Sequence, residues 1–353
     1  MGKTLYLDCS SGISGDMTVA ALLDLGASEQ RLRETLSTLP THGFDVAVTR
    51  VRKSGLDACD FDVRLDAAHE NHDHEMVWLY GHLDASEHEH DHEHEHAHDH
   101  AHSAEHDHEH AHHHHHHHEH RSLADVCAII DASAMSEHAK ELAHAVFGKL
   151  AEAEAKAHGA TPESVMFHEV GAIDSIVDIC SVAICLDDLD VTAVIVPSLA
   201  EGHGTIRCAH GIMPVPVPAV VNLCQAADIA LVPAPVAGEL VTPTGAAIVA
   251  ALRTDSALPA SYAIERVGYG AGKRAYENCS GVLRAVLIAS AGSDDAGDGD
   301  RSTVTKLESD LDDCTGEALG HVIELLMAAG AREAHAIPIV MKKGRPGHQL
   351  EVI

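Results

Sequence analysis

Residues 3–27 read KTLYLDCSSGISGDMTVAALLDLGA, and their reading decides the fold. KTLYLD has the composition of a short strand, SSGISGDM that of a loop, and VAALLDLGA shows helical spacing closed by Gly26. A strand running through a Gly/Ser loop into a helix is the start of an α/β architecture. Working outward, residues 28–38 predict a second short helix. FDVAVTRV (44–51) and ACDFDVRLD (58–66) alternate as two strands around the turn KSGLD. The stretch 136–159 is a strong helix, with Ser136 as N-cap and Gly159 as its stop. FHEVGAIDSIVDICSVAICLDDL (167–189) reads as a loop entering a helix, VTAVIVPS as a strand, and a Gly/Pro-rich passage leads to a helix near 219–226. ELVTPTGAAIVAAL predicts a capped helix, and YAIERVGYGAGKR and SGVLRAVLIA predict strands. ASAGSDDAGDGDRS (289–302) is a linker by composition. Strand, helix, strand, basic loop and strand then follow, the first part of a small α+β unit.

The chain has 353 residues, enough for two ordinary domains, and is 45% hydrophobic but only 3% aromatic. Its core is therefore built from Ala, Val, Leu and Ile. A formal net charge of −32 argues against nucleic acid and against an anionic membrane surface, and favours cationic partners, metal ions among them. No N-terminal signal is visible, and no apolar run is long enough for a membrane helix. The nine scattered cysteines contain no CxxC pair, which predicts reduced thiols and a cytoplasmic location.

Composition breaks abruptly at 69–120. This segment holds 23 of the 33 histidines and has almost no apolar residues, so it predicts a disordered insertion in the absence of metal. Imidazole at that density, as at His112, His114, His116 and His118, binds nickel, copper or zinc ions. A spacer with incidental metal affinity is the alternative.

Several polar clusters are candidate sites. Asp8 and Asp16 bracket the SSGISGDM loop, where the backbone N–H groups around Ser14 and Gly15 could cradle an anion and the carboxylates a divalent cation. An ordinary strand-to-helix turn also accounts for it. In FHEVGAIDSIVDI, His168 and Glu169 are adjacent, and Asp174 and Asp178 share one helix face. An imidazole with carboxylates is a common divalent-metal set, and a capped, solvated helix is the plainer reading. GHGTIRCAHG brings His203, Arg207, Cys208 and His210 close in sequence, as metal ligands or as an ordinary loop. TPTGAA and GYGAGKR offer close backbone approach. Asp312 and Asp313 end an acidic strand. Lys342, Lys343 and Arg345 form the only dense basic loop, a phosphate site or a solvated hairpin.

Together, LYLDCSSGISGDM, FHEVGAIDSIVDI, RCAHGIMPVPVPA, TPTGAA, GYGAGKR, DLDDCTGEAL and MKKGRPG stand in the order in which they stand in the LarC family. The chain resembles these nickel-insertion proteins of nickel-pincer cofactor biosynthesis over nearly its whole length, the tract and the linker excepted. The resemblance implies CTP-dependent insertion of nickel into pyridinium-3,5-bisthiocarboxylic acid mononucleotide, with one nickel–carbon and two nickel–sulfur bonds formed and CTP consumed with Mg or Mn. The product is the cofactor of lactate racemase and related enzymes, and the tract resembles a nickel reservoir. It also implies a longer C-terminal domain, linked with CTP binding and a homo-oligomer.

The expected catalytic residues are Asp8, Asp16, His168, Glu169, Asp174 and Asp178. Ser14, Gly15, Asp312, Asp313, Lys342, Lys343 and Arg345 are expected at phosphates, and His168, His203, His210 and the tract at nickel. The expected fold is α/β: a mixed main domain (1–68 and 121–289), the insertion (69–120), a linker (290–302) and a partial ferredoxin-like α+β unit (303–353). A nickel store without catalysis and a metal-dependent nucleotide hydrolase are the rival readings. A store predicts nickel binding with no need for nucleotide.

Overall fold

A computed structural model describes residues 2–66, 121–167, 170–208, 210–290 and 306–353. The histidine-rich insertion, most of the linker, and the candidate residues His168, Glu169, His112, His114, His116 and His118 lie outside the described residues. The chain divides into two compact units, Met1–Gly292 and Ser293–Ile353.

The first unit is built on a six-stranded mixed sheet of order β2-β3-β11-β12-β1-β6. Its strands are β1 (Lys3–Asp8), β2 (Phe44–Lys53), β3 (Leu56–Leu65), β6 (Val191–Ile195), β11 (Tyr262–Ala271) and β12 (Val282–Ser290). The hairpin β2–β3 turns through Ser54 and Gly55, both at positive φ, which matches the right-handed strand twist. β1 pairs antiparallel with β12 (Leu5 opposite Leu287) and parallel with β6 (Leu5 opposite Val194). Ala285, Val286, Leu287 and Ile288 are buried in succession, so the sheet centre is covered on both faces.

Helix α1 (Gly15–Leu25) lies across β3, β11 and β12. The contact is a backbone-on-backbone approach. A Cβ on Gly268 or Gly270 of β11 would collide with main-chain atoms of Ala21 and Leu25 or of Met17 and Ala21. The glycines of GYGAGKR therefore let a helix rest directly on a strand. Helix α2 (Glu29–Leu36) follows, with Ser28 as N-cap.

The short strands β4 (Arg121–Ser122) and β5 (Met166–Phe167) pair with each other. Between them run α3 (Leu123–Asp131) and α4 (Glu137–His158). Ser136 caps α4 through the Ala139 N–H, and Gly159 ends it in the left-handed region. Helix α5 (Ile173–Asp188) packs on both α1 and α4. α6 (Pro218–Ala226) and α7 (Pro243–Leu252) pack on α4 and on each other.

Between β6 and α7 the Gly/Pro-rich passage forms structure that its composition hid. β7 (Leu199–His203) pairs in parallel with β10 (Leu231–Ala237), and β8 (Thr205–Cys208) with β9 (Gly211–Pro214) makes a hairpin. Pro233 and Pro235 mask β10, whose pairing is confined to one neighbour, where missing N–H donors are tolerated.

The second unit holds β13 (Leu307–Leu311), α8 (Gly316–Ala328), β14 (Ala334–Val340), a 3-10 turn at Lys342–Gly344, and β15 (Pro346–Val352). Its antiparallel sheet has order β13-β15-β14. No helix among the described residues is long and apolar enough to cross a membrane.

Candidate active cleft

Four helices of the first unit begin at one cleft of about 310 Å3. The first turn of α1 brings Ser14, Gly15 and Asp16, that of α5 brings Asp174 and Ser175, that of α6 brings Pro218 and Ala219, and that of α7 brings Pro243 and Thr244. The N-caps of α1, α5 and α6 (Ser14, Ala172 and Val217) make no side-chain capping bond. Only α7 is capped in that way, by Thr242 Oγ1 accepting from the Gly245 N–H at 3.1 Å. Helix N-termini present unmatched N–H groups and the positive end of the helix dipole, so their convergence favours an anion.

Carboxylates stand in the same cleft. Asp16 is buried and accepts a hydrogen bond from the Ser14 hydroxyl. Asp178, on the second turn of α5, accepts from the Asp16 backbone N–H. Gly15 is required there, because a Cβ would meet the Asp178 carboxylate. Burial, then the charges of Asp16 and Asp174, push the Asp178 pKa well above the usual carboxylate range, and Lys273 and the Asp16 N–H only partly oppose this. Asp178 Oδ1 is buried without a hydrogen-bond partner. That orphaned oxygen fits either a proton or a cation.

The basic groups are tied to the scaffold. Lys273 contacts Asp60 at 2.8 Å and Asp62 at 3.2 Å. Burial opposes its charge, but the Asp60 hydrogen bond and the charges of Asp60, Asp62 and Asp16 outweigh this and raise its pKa. Lys53 donates to the Gly272 carbonyl and, at 2.7 Å, to the Arg274 carbonyl, and burial lowers its pKa. Arg274 pairs with the buried Glu239 at 2.6 Å, and the Tyr276 hydroxyl donates to the Glu239 carbonyl at 2.8 Å. A smaller hollow, lined by Ser11, Gly272, Lys273 and Tyr276, shares Ser14, Asp16, Glu239, Thr242 and Arg274 with the cleft. The remaining wall is the end of α4 (Glu154, His158) and the β8–β9 hairpin (Arg207, Cys208, His210, Met213).

Of the residues expected from the sequence, Ser14, Gly15, Asp16, Asp174, Asp178 and His210 meet at this cleft. Asp8 does not. It pairs with Arg284, accepts from Ser10, and lines a separate hollow with Tyr6 and Pro197. Burial disfavours its charge, but the hydrogen bonds from Ser10 and Arg284 and the Arg284 charge hold the carboxyl below the usual range. His203 is exposed at the end of β7 and does not line the cleft. In the second unit, Arg345 Nη1 lies 4.0 Å from Asp312 Oδ2, Asp313 is exposed beside that pair, and Lys342 begins the 3-10 turn. Sequence reading missed Glu154, His158 and Glu239, which carry no local signature, and quoted GYGAGKR without singling out its Lys273. Among the described residues, no three His, Cys, Asp or Glu side chains form a group that could hold a metal ion.

Comparison with known proteins places this chain in a family. The family described as "Nickel insertion protein" matches residues 5–353. A pyridinium-3,5-bisthiocarboxylic acid mononucleotide nickel insertion protein of Alkaliphilus metalliredigens (strain QYMF) is 42% identical over 363 residues, covering 100% of this chain and 78% of the relative. Proteins of the same name from Geobacillus kaustophilus (strain HTA426) and Acetivibrio thermocellus are 38% and 36% identical, covering 99% of this chain and 76% and 75% of their own lengths. No solved structure matches. The chain belongs to the LarC family of nickel insertion proteins.

Proposed function

We propose that this protein inserts nickel into pyridinium-3,5-bisthiocarboxylic acid mononucleotide, consuming CTP, and that the cleft of the first unit is where insertion occurs. The observation that carries this reading is the meeting, in one cleft, of the Asp16, Asp174 and Asp178 carboxylates with three helix N-termini whose N-cap residues make no side-chain capping bond, Asp178 itself taking one first-turn N–H of α1. The substrate carries a phosphate, two thiocarboxylates and a ring carbon that exchanges a proton for nickel. The phosphate sits at the helix N-termini, and Arg207 on the cleft wall adds positive charge. Two sulfurs bind nickel, the ring C–H bond breaks as the nickel–carbon bond forms, and the proton passes to a carboxylate. Asp178 suits that role, since its environment raises its affinity for a proton. The reaction so described is a cyclometallation, which belongs with the metal-inserting lyases.

Magnesium or manganese would be held by Asp16 and Asp174, hard oxygen donors in a cleft with excess negative charge, and would supply charge to offset phosphate. Asp312, Asp313, Lys342, Lys343 and Arg345 of the second unit are the remaining candidates for CTP phosphates. We read that unit as part of a ferredoxin-like arrangement, supported by its β-α-β-β order and its sheet order β13-β15-β14. The histidine-rich segment serves as a nickel reservoir, the location is cytoplasmic, and the working form is a homo-oligomer.

The test is insertion by the purified chain, with the bisthiocarboxylate mononucleotide, nickel and CTP with magnesium, followed by product absorbance and mass. Product that requires CTP supports the reading. Nickel binding without product supports a store, and CTP hydrolysis without nickel transfer supports a nucleotide hydrolase.

A further inference from the structure

The last turn of α4 and the turn of the β8–β9 hairpin meet at the cleft wall. His158 comes from the helix and His210 from the hairpin, with ring centroids 4.9 Å apart and planes inclined by 45°. With metal–nitrogen bonds of about 2.1 Å and about 1.1 Å from ring nitrogen to ring centre, two imidazoles on one ion have centroids roughly 4.5 to 5.2 Å apart for right-angle to tetrahedral geometry. The observed spacing falls in that interval.

A carboxylate stands behind the pair. His158 Nε2 lies 3.4 Å from Glu154 Oε2, one helical turn back. A carboxylate at that distance favours a proton on Nε2, and a carboxylate behind an imidazole is the arrangement found at metal-ligating histidines. Cys208 and Met213 of the same hairpin add sulfur to the same wall. Imidazole and sulfur select nickel, copper or zinc over magnesium, whereas the Asp16 and Asp174 carboxylates select the harder ions.

We infer that His158 and His210 form a two-imidazole holding site for a borderline divalent cation such as nickel, with Glu154 orienting His158. The inference rests on the cleft being the insertion site and says where the metal waits. Among the described residues no third His, Cys, Asp or Glu completes a metal-binding group. A structural metal site is closed by four ligands, while a site that hands on its ion keeps positions open. The two sulfurs of a bisthiocarboxylate entering the cleft fill those positions and draw the ion away.

The test is histidine footprinting of the full chain with diethylpyrocarbonate, read peptide by peptide, so that the histidine-rich segment is scored apart. Nickel is added beyond the capacity of that segment. Modification of His158 and His210 should slow at least about tenfold, because a ligated nitrogen has no lone pair to react. Magnesium should have no effect. In His210→Ala, nickel should no longer protect His158, and in Glu154→Gln protection of His158 should weaken but persist. Exposed His138 and His321 serve as internal standards for reagent strength, and an unchanged circular dichroism spectrum of each variant reports that the fold is intact. Equal reactivity of either histidine with and without nickel overturns the inference, as does full protection of His158 in His210→Ala. The readout needs no turnover. A failed insertion assay with intact protection therefore counts against the reaction and leaves the metal pair standing.

Discussion

Asp178 and Glu201 are both buried acids, and their environments give them opposite uses. Asp178 faces two other carboxylates in the cleft, and its Oδ1 has no hydrogen-bond partner. Its folded pKa is raised, so deprotonation as pH rises destabilises the fold. Asp178→Asn removes that repulsion. It should unfold at higher urea than the native chain at pH 8 and at the same urea near pH 4. Nickel insertion should fall by about 10²-fold or more, the usual cost of losing a proton acceptor. Glu201 on β7 lies outside the cleft. Its Oε1 accepts the N–H groups of Gly202, Leu240 and Val241, while its Oε2 has no partner. Burial pushes its pKa up to about 7, although those N–H groups oppose the shift. The stability this group contributes is complete below its unfolded pKa and is lost as pH rises through the folded value. The native chain should therefore lose on the order of 3 kcal/mol from this group between about pH 4.5 and pH 8. Glu201→Gln should flatten that slope in urea midpoints measured across the range, and an unchanged slope would refute the assignment. Asp178 was legible in the sequence because it shares a helix face with Asp174. Glu201 was not, because two of its three donors, the Leu240 and Val241 N–H groups, come from a segment distant in the chain.

Glycine positions show how elements are held together. Gly270 of β11 faces α1, and a methyl group there would meet Met17 and Ala21 main-chain atoms, which cannot swing aside. Gly270→Ala should cost about 1–3 kcal/mol by overpacking, seen as a lower urea midpoint with unchanged slope. Gly148, inside α4, has open space around a built Cβ and no positive φ. Gly148→Ala should stabilise the chain by about 0.5–1 kcal/mol through helix propensity alone. If Gly270→Ala leaves stability unchanged or raises it, the backbone contact of α1 on β11 is misassigned. Helix α4 was readable from sequence because its cap, stop and apolar spacing are all local. β7 and β10 were not, since their pairing joins segments of mixed Gly and Pro content that show no alternation.

At the scale of the whole molecule, the two units differ in how much core they own. The first buries an extended cluster from β1 through β12. In the second, Leu319 and Leu350 are the only buried apolar residues among those described, while Leu307, Leu325, Met327 and Val340 are exposed. Little apolar burial means weak resistance to opening. Amide hydrogen exchange in β13, β14 and β15 should therefore be faster than in β1 and β12 under native conditions. Equal protection would show that the second unit gains stability from burial not apparent within it.

Sequence alone determined the capped helices, the strands with clear alternation and the family, because caps, stops and hydrophobic period act within a few residues and ordered motifs can be matched along the chain. It also grouped Ser14, Gly15 and Asp16, which are consecutive, and Asp174 and Asp178, which are one turn apart, without joining the two groups. Tertiary structure alone decided that Asp8 turns to Arg284 while Asp16 enters the cleft, and that His210 meets His158 and not His203. Those choices depend on how helices and strands far apart in the chain pack. Short-range periodicity says which face of an element is buried, but not what it is buried against.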